Sequence, residues 1–398
     1  MTEWQSPKLK DLLIDSNPGF ACGEDDPVGV FQFRMNNLNI DGSLDFSKIR
    51  RVPQNKKNLK KFYLQKGDVL FNATNSPELV GKSAFFPGHS EIAVYSNHFV
   101  RLRPRDDVLE GRYLARWLQA QFRHRVFRDM CRQWVNQATV SREALLGLSI
   151  PLPPIATQKH IAAILDQAEE LRSKRRSAIA LLDELGRSVF LEMFGDPDSI
   201  LQKWNTTTLG NTLDFLTSGS RGWASYYSDS GDLFLRIQNV KSDQLVLNDV
   251  AYVKAPDTAE AKRTLVQPGD VLLSITADLG RTAVIPEGLG KAYINQHLCI
   301  LRTKQFSPRF LSAYFASPAG QRQVFGRNRQ AVKAGLNFDD VRSFNVPLPP
   351  LELQQQFAER MEAIESLKAT HRQSLAKLDT LFASLQHRAF RGELESNS

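Results

Sequence analysis

The 398-residue chain repeats itself, and this limits its fold more than any other feature. The string Pro-Leu-Pro-Pro stands at Pro151–Pro154 and again 196 residues later at Pro347–Pro350, each followed after three residues by a glutamine, Gln158 and Gln354. Gly-Asp-Val-Leu occurs at Gly67–Leu70 and at Gly269–Leu272, 202 residues on. Gly81–Ala84 (GKSA) matches Gly280–Ala283 (GRTA), and Ser96–Phe99 (SNHF) matches Asn295–Leu298 (NQHL), both at 199. Phe33, Arg34 and Asn37 match Leu235, Arg236 and Asn239 at 202, and Trp4 and Trp204 open the two halves at 200. The matches keep one order and the offset drifts by only a few residues, so the chain is a tandem duplication. A unit of about 200 residues is too long for a solenoid repeat; it is one whole domain with its connector, copied.

Each copy has two parts. The first is mixed: short β-like runs (Asp68–Phe71, Phe99–Leu102, Leu233–Ile237, Val271–Ile275, Cys299–Leu301) are separated by Gly, Pro, Asn and Asp turns, and a helical stretch follows at Gly111–Arg132 and Pro308–Gly326. The second part is one long helix. From Ile155 to Phe194, Ile161, Ile164, Ala168, Leu171, Arg175, Ala178, Leu182, Leu185 and Val189 recur at steps of three and four between charged flanks, a heptad seam. Its helix would span roughly 60 Å. Gly195 and Pro197 end it. The second helix, Leu351 to Arg391, carries Phe357, Ile364, Leu367, Leu378, Leu381 and Leu385 and stops at Gly392. An apolar stripe on a long helix needs a partner, and the economical partner is the other copy. The expected class is therefore α+β: a mixed α/β domain and a long helix, duplicated, with the helices paired as an antiparallel intramolecular coiled coil. The expected boundaries are 1–150 and 198–346 for the domains, and 151–197 and 347–398 for the helices. The alternatives are helices that pack only on their own domains, or that join two copies of the chain.

A net charge of +8 fits a polyanionic partner. Cys22, Cys131 and Cys299 are isolated, with no zinc or disulfide spacing, and read as reduced, half-buried residues. No apolar leader opens the chain and no run approaches a membrane span, so a soluble cytoplasmic protein without membrane contact is expected. Motifs for chemistry are scarce. There is no GxxxxGK[ST] phosphate loop and no acidic constellation with nuclease spacing. Asn17-Pro18-Gly19-Phe20 lacks the second proline of amino-methyltransferase motifs and reads as a turn. His98 and His297 occupy matching positions, away from any Cys or carboxylate pattern, and read as structural.

Two copies of PLPP-x3-Q leading into heptad helices, with GDVL and GKSA or GRTA in each domain, resemble the specificity subunits of Type I restriction–modification enzymes. Val189–Pro197 (VFLEMFGDP) is similar to that family's central connector and His387–Leu394 (HRAFRGEL) to its C-terminal tail. The resemblance covers essentially the whole chain. It implies two target-recognition domains, each reading one half of a bipartite double-stranded DNA site, and helices that set the spacer and dock two methyltransferase subunits. Motor–nuclease restriction subunits can join that complex. It also implies that this chain is non-catalytic and binds no cofactor, S-adenosylmethionine being held by the methyltransferase.

Polar loops near element ends supply the candidate DNA contacts. They are Arg34, Asn36, Asn37, Asn72, Thr74, Asn75, Lys82, Arg132, Gln133 and Asn136 in the first domain. In the second they are Arg221, Trp223, Arg236, Gln238, Asn239, Thr276, Arg281, Arg327, Asn328, Arg329, Gln330 and Lys333. Arg, Asn and Gln offer the paired groups that guanine and adenine edges require. Residues shared by both copies fit a common positioning role, and unshared ones fit specificity. Two rivals stand beside this reading: a scaffold or DNA-binding regulator, and the specificity half of a system whose methyltransferase and nuclease are fused. A free-standing enzyme has only the NPGF fragment in its favour.

Overall fold

The computed structural model describes residues 4–55, 58–134, 137–327 and 335–394. The chain divides into two compact units, Met1–Ser177 with Arg372–Ser398, and Ala178–His371. Each holds one mixed domain and half of each long helix.

In the first unit the strands are β1 (Leu13–Pro18), β2 (Val30–Phe33), β3 (Val69–Asn72), β4 (Ser83–Phe85), β5 (Ala93–Tyr95) and β6 (Phe99–Pro104). An antiparallel sheet runs β1-β6-β3-β4, while β2 pairs in parallel with β5 and antiparallel with Arg51–Val52. The second unit has β7 (Phe215–Ser218), β8 (Asp232–Leu235), β9 (Val271–Ser274), β10 (Thr282–Val284), β11 (Ala292–Ile294) and β12 (Leu298–Arg302). Its sheet runs β7-β12-β9-β10, and β8 pairs in parallel with β11 and antiparallel with Ala251–Val253. The four-stranded sheet and the parallel pair beside it are thus repeated strand for strand.

The GDVL motif supplies the centre of each sheet. Alternation along β3 sends Val69 and Phe71 into one core with Tyr113, Leu114 and Leu118 of helix α1 (Gly111–Arg123), and Leu70 into another with Phe33, Ala84 and Phe99. On β9, Val271 and Leu273 meet Phe310, Leu311 and Tyr314 of a helix at Pro308–Ala316, and Leu272 meets Leu235 and Ile294. Both strands are covered on both faces, which accounts for their unbroken apolar runs. The aspartate closes the turn before the strand. Asp68 accepts the Gln65 N–H at 2.7 Å and pairs with Arg103, and Asp270 accepts the Gln267 N–H at 2.7 Å and pairs with Arg302. Gly67 and Gly269 take φ of +101° and +83°, a region that glycine enters without strain.

The PLPP-x3-Q motif ties each long helix to its domain. Helix α2 (Ile155–Phe194) begins with Gln158 buried; its side chain accepts the Glu110 N–H and donates to the carbonyls of Val108 and Pro153. In the second copy the domain helix α3 (Pro308–Ala316) is met by Gln354 of α4 (Leu351–Ala389), which accepts the Ser307 N–H and donates to the Pro349 carbonyl.

The medium-length helices are shorter than their sequence suggests. Alpha-helical geometry stops at Arg123, Arg125 turns left-handed at φ 61°, and a short helix resumes at Val126–Met130. The stretch from Pro308 breaks at Ser317, which caps a second helix, Pro318–Gly326.

The long helices pair within each unit. In the second, Asp183 meets Lys368 at 2.6 Å, Gly186 lies against Met361, and Phe190 against Phe357 at 5.7 Å. Numbers rise on α2 as they fall on α4, so the pair is antiparallel. In the first unit, Ile161, Leu165 and Ala168 share a core with Phe382, Leu385 and Ala389, and Arg172 meets Asp379.

The seam is displaced from the leucine pattern. Ile161, Phe357 and Ile364 are buried, and Ile164, Leu182, Leu378 and Leu385 are half-buried. Leu171, Leu185, Leu367 and Leu381 are 51%, 46%, 53% and 50% exposed, so they do not belong to it. Their neighbours Arg172, Gly186, Lys368 and Phe382 face inward instead. A long cationic side chain can bury its stem and still find a carboxylate, so polar residues occupy seam positions and the leucines lie outside. Cys299 also departs from expectation: it is fully buried on β12, and burial pushes its thiol up to about 12.

Candidate nucleic-acid interface

Each domain has a corner where its central strand leaves the sheet. After β3, Thr74–Asn75 pairs with Gln137–Thr139, which pairs in turn with Arg132–Trp134. The His98 carbonyl receives the N–H groups of Ala73 and Thr74 and the Asn72 amide. After β9, Thr276 bridges to Gly335, the His297 carbonyl receives the Ile275 N–H, and the Thr276 hydroxyl lies 2.6 Å from His297 Nδ1. Both corners present backbone and polar side chains at the end of a rigid strand, a suitable support for contacts with base edges.

Several sequence candidates serve other purposes. Asn37 is buried; its carbonyl oxygen accepts the Arg34 N–H, and its amide donates to the carbonyls of Asp45 and Lys48. Asn239 does the same with Arg236, Val246 and Asp249. Asn72 is buried, bonded to Thr74, Asn75 and His98. These three amides are consumed by the fold and leave the set of base readers. Lys82 is buried, with its ammonium on the carbonyls of Met35 and Leu38; burial lowers its pKa, and Lys48 adds to the effect. Arg281, at the matching motif position, reaches the Val240 carbonyl and pairs with Asp278. The cation of GKSA or GRTA therefore clamps a hairpin. Trp223 is a core residue, its ring 5.0 Å from Phe234 and 5.2 Å from Tyr293. Arg327 is anchored on Ser343 and lies over the Phe344 ring.

Asn36, Arg221 and Gln238 are exposed, and Arg34, Thr74, Asn75, Arg236 and Thr276 are half-buried at strand ends. Arg132 and Gln133 lie on a corner strand, and their side chains fall outside the described residues. Asn136, Asn328, Arg329, Gln330 and Lys333 also fall outside them. The two histidines are part of the corners, which the sequence signalled only by their matching positions.

Comparison with known proteins accounts for the duplication. The model of the Type I restriction modification DNA specificity domain matches residues 1–180 and 234–380. The chain belongs to this family. It is 26% identical over 382 residues to a putative type I restriction enzyme MjaX specificity subunit of Methanocaldococcus jannaschii, covering 92% of this chain and 87% of that one. It is 24% identical over 390 residues to the type I restriction enzyme EcoKI specificity subunit of Escherichia coli K12, covering 91% and 82%. A solved type I restriction–modification S subunit from M. genitalium shares the fold, with a TM-score of 0.60 at 14% identity over 97% of this chain and 96% of that one. The fold is a tandem pair of specificity domains with long helices. Among the described residues, no helix is long and apolar enough to cross a membrane.

Proposed function

We propose that the chain is the DNA sequence-specificity subunit of a Type I restriction–modification complex and performs no catalysis. The observation that carries the reading is the duplicated corner. Thr74–Asn75 in one unit matches Thr276–Ala277 in the other, each following the central strand of the same four-stranded sheet, so two equivalent strand ends carry side chains that differ at Asn75 and Ala277. Each reads one half of a bipartite double-stranded site, and the half-sites differ.

The helices supply the docking surface for the methyltransferase. Leu171 and Leu367 stand 196 residues apart, as do Leu185 and Leu381, the same offset as PLPP, and all four are about half exposed. Large apolar side chains left in water mark contact surfaces. Their repetition suits two copies of one partner. S-adenosylmethionine belongs to that partner, and motor–nuclease subunits add restriction.

Co-expression with a type I methyltransferase subunit tests this. The expected result is a stable complex with two methyltransferases per chain that methylates DNA, while the chain alone binds no S-adenosylmethionine. A chain that fails to co-purify, or that methylates DNA by itself, contradicts the reading.

A further inference from the structure

In the first unit, four segments converge on one buried carboxylate. Glu169 of α2 is 7% exposed and meets three guanidiniums. Arg172 and Arg176 come from its own helix, Arg176 at 2.7 Å, and Arg123, the last residue of α1, comes within 3.6 Å. Each arginine carries the link onward. Arg172 donates to Asp379 of α4 at 2.6 Å. Arg123 reaches Gln386 of α4 at 3.2 Å, and both Arg123 and Arg172 lie over the Phe382 ring. Arg176 reaches Asp41, at the tip of the hairpin closed by Leu38 and Leu44, at 3.1 Å. Three cations face three carboxylates, with Glu169 buried at the centre and Asp379 and Asp41 nearer the surface. The hairpin tip sits tightly: a Cβ on Gly42 would fall 1.8 Å from Gln119 of α1.

The second unit is built differently at the same place. Its hairpin tip, Asp243, turns to its own domain, meeting Arg309 at 3.0 Å and Ser312 at 2.6 Å, both on α3. Lys368, the counterpart of Arg172, takes Asp183 and Glu365. A cleft lies beside the hairpin in both units, about 930 Å³ here, lined by Asp243, Glu365 and Lys368, and about 690 Å³ in the first, lined by Asp41, Arg172 and Arg176. In the first unit the shared Glu169 ties the domain hairpin to the long helix through Arg176; in the second, Glu365, its counterpart 196 residues on, pairs with Lys368 while Asp243 is held by Arg309 and Ser312.

We infer that Glu169 is a positioning residue: it sets the angle at which the first recognition domain is carried on its helices, and through that angle the spacing at which its half-site is read. Removing the buried carboxylate at the centre leaves the guanidiniums around it uncompensated, and the segments that carry them must move to find water or new partners. The segments concerned are the hairpin, α1 and α4. The functional half of this inference rests on the proposed function.

Two readouts test it. The first is a distance distribution by electron spin resonance on the whole chain, between labels placed at the exposed Ile92 of the domain and Thr380 of α4 through unnatural amino acids. The second is methylation by the assembled complex of the natural bipartite site, compared with the same half-sites one base pair closer or farther apart. Glu169→Gln, nearly isosteric but uncharged, should broaden the distances. It should also raise the off-spacing to on-spacing ratio by about fivefold, the size of one lost interaction, with unchanged half-site sequences. Glu169→Asp should fall between. Asp41→Asn, which cuts only the hairpin link at the surface, should act in the same direction if the glutamine variant folds poorly. Unchanged distances overturn the inference. Broadened distances with an unchanged ratio overturn the link to spacing, as does an equal loss of methylation at every spacing. A wild-type complex that methylates no bipartite site would count against the function, while the distances still decide whether Glu169 holds the domain.

Discussion

Replacing Gln158 by alanine should destabilise one half of the molecule and spare the other. The side chain is fully buried and makes three hydrogen bonds of 2.8–2.9 Å: it accepts from Glu110 and donates to Val108 and Pro153. Alanine leaves one N–H and two carbonyls without partners at about 1 kcal/mol or more each, and adds a small void, for a total of about 3–5 kcal/mol. That is a large share of the roughly 5–15 kcal/mol that holds a typical domain. Gln354→Ala removes two bonds in the second unit and should cost about 2–4 kcal/mol. Urea unfolding followed by hydrogen exchange with mass spectrometry resolves peptides of each unit. Gln158→Ala should shift peptides around 105–165 and leave those around 300–360 nearly unmoved, and Gln354→Ala should do the reverse. A loss below about 1 kcal/mol, less than one unsatisfied buried group, or one shared equally by both units, would refute the role assigned to the motif.

Three further outcomes are expected. Leu171→Asp combined with Leu367→Asp should abolish co-purification of the methyltransferase without lowering Tm, because both side chains are about half exposed; Phe357→Asp, in the buried seam, should unfold its unit in the same melting experiment. Cys299 should resist a thiol reagent at pH 8 in the native chain, since burial raises its thiol to about 12, whereas Cys22 reacts; mass spectrometry of labelled peptides reads the difference. Asp41→Asn should lower Tm slightly at pH 6, by less than about 1 kcal/mol in stability terms. Burial pushes the Asp41 carboxyl up, but Ser43's hydroxyl and N–H, Arg176 and Arg116 outweigh it and hold the pKa below 3.8. A lowered carboxylate stabilises above its unfolded pKa and loses that contribution as pH falls through the folded value, so the gap between variant and wild type should close below pH 3.8.

The architecture was legible because its signals are periodic and doubled. Two copies of PLPP-x3-Q and GDVL marked equivalent places, and Gln158, Asp68 and their counterparts prove to be the residues that fasten the elements. Four seam leucines, Leu171, Leu185, Leu367 and Leu381, turn outward although the heptad spacing places them inside, while Ile161, Phe357 and Ile364 are buried as the spacing predicts. Arg172 and Lys368 point inward with their stems packed, and hydropathy gives no credit for that. The DNA contacts were the least legible part. Asn37 and Asn239 stand at strand ends, where an amide can cap a turn or read a base with equal chemical fitness, and only the fold distinguishes the two. Glu169 recurs as Glu365 at the PLPP offset of 196, yet an acidic residue on a charged helix flank is ordinary; its significance comes from Arg123 and Asp41, which are distant in sequence.

The central claim is that one chain reads two unlike DNA half-sites at a fixed separation. A genome-wide map of modified bases in a host expressing this chain with its methyltransferase tests it most directly. The account predicts a new bipartite motif with two different halves and one constant gap. A continuous or palindromic motif, or no new motif from an assembled and otherwise active complex, would contradict it.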